Sequence, residues 1–146
     1  MRIVALENEF VTVACDPDAG IVEHVTHRFL VSDVFRQALL RGLELMREHG
    51  ATKWLSDERL NGAISNDDVE WGATVWRPRA VALGLKSWAL VLPRSTFGSA
   101  RARRIVEEER RWGLTCAVFE ERAAARRWLD QQPGPSRKPL GAPDGS

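Results

Sequence analysis

The chain has 146 residues, and its 21 lysines and arginines against 20 aspartates and glutamates give a net charge of +1. This length is enough for one domain with a substantial core, and the balanced charge gives no general attraction to nucleic acid or to a membrane surface. No apolar run approaches the roughly 20 residues of a membrane span, and the N-terminus lacks a signal-peptide pattern, so we expect a cytoplasmic protein without a nucleic-acid partner.

Three short β-type runs open the chain, at residues 2–6, 10–15 and 20–26. The last two are separated by Asp16-Pro17-Asp18-Ala19-Gly20, which is a strong turn signal. This spacing predicts an N-terminal antiparallel meander. A helix with an apolar stripe at 3.6-residue spacing follows from Ser32 to His49 and ends at Gly50.

A buried parallel strand is indicated by Lys53-Trp54-Leu55, where a short apolar run stops abruptly at polar residues. Asp57 and Arg59 follow it, at the carboxyl edge where open α/β sheets tend to bind ligands. They are therefore candidate ligand-binding residues. The alternative is that they pair with each other or with neighbours.

A tryptophan-rich helix is predicted to begin with Ser65 as its N-cap, followed by acidic residues in the first turn. Trp71 and Arg79 lie on one row of this helix, with Trp76 beside the row. Pro78 falls inside it, so we expect a kink, or a break with Pro78 opening a second short helix. Gly84 is expected to end it.

The rest of the chain alternates strands and helices: a strand at 87–92, a helix at 97–112, a strand at 114–119 and a helix at 120–130. The helix at 97–112 carries charges of both signs and reads as a solvent face with internal ion pairs. From residue 131 the chain is rich in Pro, Gly and Ser. We expect a single domain at 1–130 and a disordered tail at 131–146.

This order of elements predicts an α/β fold. The alternating second half requires a parallel sheet with right-handed crossovers, and the meander adds antiparallel strands, which makes the sheet mixed. The meander also offers an edge strand, and such edges must be covered or paired. From this we predict a homodimer.

Motifs for cofactors, metals and catalysis are not visible. The chain has no Gly-rich phosphate loop, so no cofactor is expected. His24 and His27 alternate onto opposite faces of one strand and make a poor metal pair, and Cys15 and Cys116 form no metal or redox motif. General acid–base chemistry could use Asp57 or Glu58, but no partner is evident in the sequence, so an enzyme is the least favoured of the three functions that we consider.

Several short motifs occur in order between Val31 and Leu129. They are Gly50-Ala51-Thr52-Lys53-Trp54-Leu55-Ser56-Asp57, Trp71, Trp76-Arg77-Pro78-Arg79-Ala80, Gly84, Ala89-Leu90-Val91, Val118-Phe119, Ala125 and Trp128-Leu129. With these motifs the chain resembles the SpoIIAA-like (STAS-like) bacterial proteins. The resemblance implies a four-helix, mixed-sheet STAS-like fold, related in shape to CRAL-TRIO lipid-carrier domains. It also implies no established enzymatic activity, and roles in binding small hydrophobic ligands or in regulating other proteins.

Anti-sigma factor antagonists, to which this family is related, carry a phosphorylatable Ser or Thr at the start of the helix after the central strand. Ser65 is the nearest matching position here, and Ser56 is the other candidate. The D-S-[SA]-G signature of those antagonists is absent. Ser65 has a simpler role open to it, as a helix N-cap alone.

Two non-enzymatic functions follow. In the first, the protein binds a small apolar ligand between the tryptophan-rich helix and the sheet edge. Trp71 and Trp76 would form the walls, and Asp57, Arg59 and Arg79 would orient the ligand. In the second, the protein is a regulatory module that contacts a protein partner through exposed surface near Ser65.

Overall fold

The computed structural model describes residues 1–62 and 64–134. The described residues form a mixed six-stranded sheet in the order β1-β2-β3-β4-β5-β6. The strands are β1 (Ile3–Glu7), β2 (Val11–Asp16), β3 (Ile21–Thr26), β4 (Lys53–Asp57), β5 (Ser87–Val91) and β6 (Thr115–Phe119). β1, β2 and β3 are antiparallel, whereas β3 to β6 are parallel. The predicted α/β class, with its mixed sheet and N-terminal meander, is confirmed.

Helices cover both faces of the sheet. They are α1 (Ser32–His49), α2 (Asn66–Trp71), α3 (Arg77–Ala82), α4 (Thr96–Arg111) and α5 (Arg122–Gln131). A π-helical turn, Gly72–Trp76, joins α2 to α3 without leaving the helical backbone region. We call the continuous body Asn66–Ala82 the tryptophan helix. Counted this way, the described part of the chain has the four helices that were expected.

The strand order decides which face each helix covers. β3, β4, β5 and β6 follow one another in the sheet, so right-handed crossovers place all three connecting helices on the same face. The main core lies there, between the sheet and α1, the tryptophan helix and α4. α5 follows the last strand and packs on the opposite face in a smaller core made of Ile21, Leu55, Ala89, Val91, Ala125 and Leu129.

β4 is longer than the sequence suggested. The expected strand was Lys53-Trp54-Leu55, with Ser56 and Asp57 in the loop, but the strand continues to Asp57 and all five residues are buried. Polar side chains are tolerated inside a sheet when they are hydrogen-bonded. Ser56 accepts a hydrogen bond from Trp88, and Asp57 accepts from Arg59, which explains the extension.

The tryptophan helix begins as predicted, and Pro78 lies in the first turn of a second short helix, α3, which was one of the two predicted alternatives. The Ser65 hydroxyl accepts from the Asp68 amide at 3.2 Å, so Ser65 is the N-cap. The change from α to π hydrogen bonding occurs at Gly72–Trp76, upstream of Pro78. Pro78 then lies at the start of α3, a position that proline favours because its φ is already suited to a helix. Gly84, with φ at 108°, follows the end of the helix.

At the C-terminus, α5 includes Gln131, the first residue of the expected tail, and residues 135–146 lie outside the described part of the chain. Both cysteines are buried and unbridged, and burial raises the pKa of Cys15 to about 11 and that of Cys116 to about 12. None of the helices in the described ranges is long and apolar enough to cross a membrane.

Candidate functional site

A mostly apolar cavity of about 110 Å³ lies between the main face of the sheet and its three covering helices. The sheet contributes His24, Trp54, Ser56, Trp88 and Leu90. The residues contributed by α1, the tryptophan helix and α4 include Phe35, Leu39, Asp68, Val69, Gly72, Ala73, Trp76, Arg101, Ala102, Ile105 and Glu109. We call this space the helix-side cavity.

Strand register builds the floor of the helix-side cavity. Trp54 of β4 is aligned with Trp88 of β5, and Ser56 is aligned with Leu90. His24 of β3 is aligned with Ser56. Because aligned residues of neighbouring parallel strands point to the same face, these side chains form two adjacent rows beneath the helices.

Trp54 and Trp76 pack edge to face, with ring centroids 5.0 Å apart and planes at 82°. Gly42 of α1 makes room for them, because a Cβ at that position would lie 2.1 Å from Cη2 of Trp54. Trp54 is fully buried and Trp76 nearly so. The two rings therefore form a rigid wall of the cavity rather than an adaptable surface.

A buried hydrogen-bond network joins His24 to Glu58. The Trp54 indole Nε1 donates to His24 Nδ1 at 3.0 Å, so the imidazole hydrogen lies on Nε2, which donates to Glu58 Oε1. The second Glu58 oxygen accepts from the hydroxyl of Thr26 at 3.2 Å and from the amide of Asn61 at 2.7 Å. Both ring nitrogens of His24 are occupied, and the network fixes β3, β4 and the loop after β4 relative to one another.

Two lining residues carry buried polar atoms that make no hydrogen bond with the described residues. They are Nε1 of Trp76 and Oε2 of Glu109. The other oxygen of Glu109 accepts from Nη1 of Arg77 at 3.0 Å. Burial raises the pKa of Glu109 above its usual value, although the charge and hydrogen bond of Arg77 oppose that shift.

The position of Glu109 shows that one prediction about the helix at 97–112 was wrong. The helix at 97–112 was expected to present its charges to solvent and to pair them internally, but Glu109 is buried and pairs with Arg77 of another helix. Arg101 also reaches outward, donating to the Ile64 carbonyl at 2.6 Å and to the side chain of Asn66. α4 is thus tied to the start and the middle of the tryptophan helix along one side of the cavity.

Trp76 is the one of the five ligand-binding candidates that lines the helix-side cavity. Trp71 lies beside it, edge-on to Phe35 at 6.3 Å and with the Arg36 guanidinium 5.4 Å from its ring. Arg79 is exposed on the surface. The three residues of the helix that were considered together therefore have three different environments.

Asp57 and Arg59 lie on the opposite face of the sheet, beside α5. Arg59 donates from Nε and Nη2 to the two Asp57 oxygens at 3.0 and 2.8 Å, and Arg122 of α5 lies 3.6 Å away. Burial would raise the pKa of Asp57, but the hydrogen bonds and charges of these arginines together hold the pKa below its usual value. The alternative interpretation, that Asp57 and Arg59 pair with each other, is confirmed.

The two serine candidates are placed differently. Ser65 is exposed at the start of the tryptophan helix, where its hydroxyl serves as the cap. Ser56 is buried under the helices, and its hydroxyl accepts from the Trp88 indole at 2.8 Å. A kinase can reach Ser65 in the folded chain but not Ser56.

Sequence reasoning did not identify His24, Glu58 and Glu109 as a set. His24 and Glu58 are 34 residues apart in the chain, but both lie near the carboxyl ends of neighbouring parallel strands. The convergence of strand ends was the available signal, because polar residues at those ends meet at one edge. Glu109 gave no comparable signal within its run of glutamates.

No cluster of His, Cys, Asp and Glu able to hold a metal ion occurs among residues 1–62 and 64–134. Comparison of the chain with models of protein families, with curated proteins and with solved structures found no match. The SpoIIAA-like resemblance therefore rests on the sequence motifs and stays a prediction.

Proposed function

We propose that this chain is a non-enzymatic bacterial STAS-like module that binds a small apolar molecule in the helix-side cavity. The observation that carries the proposal is the cavity itself, walled by the indoles of Trp54, Trp76 and Trp88 together with aliphatic side chains. Concave, largely apolar sites with a few polar groups are the usual form of small-molecule sites in proteins.

The volume limits the ligand. An empty apolar cavity of about 150 Å³ can stay dry and bind benzene. The helix-side cavity is smaller, at about 110 Å³, so the part of a ligand that it encloses is no larger than a single ring or a short branched chain. A long lipid, of the kind that the CRAL-TRIO relation brings to mind, would require the helices to move apart.

The hydrogen bonds favour binding over catalysis. A general base needs a free lone pair within reach of the substrate. His24 accepts from Trp54 through one nitrogen and donates to Glu58 through the other. Glu58 also accepts from Thr26 and Asn61, so the His24 ring has no free lone pair and three donors already occupy the Glu58 carboxylate.

Native mass spectrometry of protein purified from cells tests this proposal directly, because it detects a small molecule that co-purifies. A titration with methylcyclohexane, followed by tryptophan fluorescence, then measures binding of a plain apolar probe. Ala73→Leu should abolish that binding by filling the cavity, because Ala73 lines it. Ala100→Leu, on the exposed surface of α4, is the matched control. Equal binding by both variants would contradict the proposal.

A second candidate function is supported by one observation. Phe29 is 58% exposed, and it lines a surface cleft together with Ser65. Val31 of the same cleft is also exposed, and neighbouring exposed apolar side chains are typical of protein contact surfaces. The alternative proposal is therefore a regulatory interaction module resembling an anti-sigma factor antagonist, with Phe29 at the contact and Ser65 as the modified residue.

Pull-down from a bacterial lysate distinguishes this alternative. Phe29→Ser and Ser65→Asp should each reduce capture of a partner, because one removes the apolar contact and the other adds charge at the contact. Val81→Ser, which changes another exposed apolar residue, is the control and should retain capture. If all three variants behave like the parent chain, the contact does not involve this cleft.

The homodimer expected from the sequence also stays a proposal. β1 lies at the edge of the sheet, and Val4 on it is exposed. The register of β1 against β2 shifts between Val4 and Leu6, and such irregularities tend to oppose edge-to-edge pairing. Light scattering at micromolar concentration decides the matter, since a monomer mass would contradict a dimer through β1.

A further inference from the structure

The helix-side cavity contains two buried polar atoms without a partner among the described residues, Trp76 Nε1 and Glu109 Oε2. Trp76 is 6% exposed and Glu109 is 5% exposed. Buried polar groups in folded proteins are nearly always hydrogen-bonded, because an unpaired one has lost its water without compensation. Two such atoms on residues that line one cavity indicate a partner that enters the cavity.

The other indoles of the same wall provide an internal control. Trp54 donates to His24 at 3.0 Å, and Trp88 donates to Ser56 at 2.8 Å. The fold therefore supplies acceptors for two of its three cavity-lining indoles. Trp76 differs from them because its buried N–H has no acceptor among the described residues.

Glu109 is held in place from one side only. Nη1 of Arg77 donates to its first oxygen at 3.0 Å, and the Arg77 guanidinium is stacked over the ring of Trp112 at 4.6 Å. Because Arg77 directly follows Trp76, this pair brings Glu109 beside the π-helical turn that carries the unpaired indole. The second oxygen of Glu109 has no hydrogen-bond partner within the described part of the chain.

We infer that the ligand of this cavity is a small neutral alcohol or phenol, whose hydroxyl meets Trp76 Nε1 and Glu109 Oε2. This inference rests on the proposed binding function. A hydroxyl oxygen accepts from the indole while its hydrogen is donated to the carboxylate. A ketone could only accept, and an ammonium group could only donate. A carboxylate would place a second negative charge against Glu109.

The test uses four probes of one ring size: cyclohexanol, cyclohexanone, cyclohexylammonium and methylcyclohexane. Their affinities are measured by calorimetry for the parent chain and for Trp76→Phe and Glu109→Gln. Each substitution should lower the affinity for cyclohexanol about tenfold, which is the size expected for one hydrogen bond. The affinity for methylcyclohexane should stay nearly unchanged. The ratio between the two probes cancels general effects of each substitution on the cavity.

Glu109→Gln gives a sharper readout, because it replaces the free acceptor with an N–H donor while the amide oxygen can still accept from Arg77. Cyclohexanone should then gain affinity relative to cyclohexanol. If a variant does not fold, the parent chain still provides the test through the indole N–H resonance of Trp76. That resonance should shift with cyclohexanol and not with methylcyclohexane.

The outcomes separate the two proposals. If no probe binds, the binding function fails. If every probe binds and the two substitutions change all affinities equally, the cavity binds ligands but the hydroxyl inference is overturned, as it would be if water satisfied both atoms. Preference for cyclohexylammonium would overturn it in favour of a cationic ligand.

Discussion

The two faces of the sheet place their ion pairs differently. On the α5 face, arginines pair with carboxylates on the strands: Glu23 with Arg2 and Arg122, and Asp57 with Arg59. On the face that carries the helix-side cavity, the arginine pairs join the covering helices instead, Arg36 with Asp68 and Arg77 with Glu109. The floor of the cavity is therefore left to the tryptophan, histidine and serine side chains of the strands.

Truncating one leucine on each face gives the largest expected effects. Leu129 of α5 is fully buried in the small core, so Leu129→Ala should lower the free energy of unfolding by about 2–5 kcal/mol. Leu39→Ala should fall at the lower end of that range, because one side of Leu39 already faces the cavity. Urea unfolding at 25 °C measures both. A larger loss for Leu39→Ala would show that the helix-side cavity is closed in solution.

A second test concerns the fit of the tryptophan wall. Gly42→Ala would place a methyl group 2.1 Å from the Trp54 ring and should cost about 1–3 kcal/mol through overpacking. Gly72→Ala is the matched helical control, because a Cβ there meets nothing within 4 Å. It should stabilise the chain by about 0.5–1 kcal/mol, as an alanine does in place of a helical glycine. Equal effects of the two substitutions would mean that Trp54 is mobile.

Removing the N-cap of the tryptophan helix should have a smaller effect on stability. Ser65→Ala removes the hydrogen bond to the Asp68 amide and should cost about 1 kcal/mol. Ser65→Asp should keep the parent stability, since aspartate caps equally well and favours a helix N-terminus. Thermal unfolding compares the three chains. A destabilised Ser65→Asp chain would mean that its behaviour in the pull-down reports unfolding rather than a lost contact.

The pH dependence of stability should have opposite signs on the two faces. The pKa of Asp57 is lowered in the folded chain, so its contribution is present above the usual value of 3.8 and is lost as the pH falls through the folded pKa. The pKa of Glu109 is raised, so its contribution is present below 4.5 and is lost as the pH rises through the folded pKa.

Urea unfolding across pH 2–8 separates the two groups. Asp57→Asn should flatten the acid limb of the stability curve, and Glu109→Gln should flatten the decline above pH 4.5. These are the smallest effects considered. A Glu109→Gln curve with the same slope as the parent would show that the carboxyl is hydrated and that the cavity reaches solvent there.

Much of the fold was predictable from local sequence. Alternating and continuous apolar runs gave the strands, Gly50 and Gly84 gave the helix ends, and Ser65 gave a cap. These signals act over a few residues. The cavity depends instead on lateral pairing, which aligns His24 with Ser56 across strands 32 residues apart, and no local pattern encodes that register.

The candidate site shows the same limit. Trp76 was identified because it belongs to a cluster of large rings beside charged residues, close in the chain to the carboxyl end of a predicted strand. Glu109 was assigned to solvent, since a single buried member of a charged run differs from its neighbours only by its rotational position around α4. Asp57 and Arg59 were placed at the correct edge of the sheet, but side-chain alternation along β4 directs Asp57 to the α5 face.

The strand order has a consequence for synthesis. Every strand after β1 pairs with the one that precedes it in the chain, so the sheet can grow in the order in which the ribosome releases it. α5 follows all six of these strands and is the last of the described elements to emerge. A nascent or truncated chain that stops before Arg122 would expose Leu55, Ala89 and Val91, which are buried in the smaller core with α5. Uncovered apolar faces of this kind invite aggregation, so a nascent chain should need chaperone protection until α5 has formed.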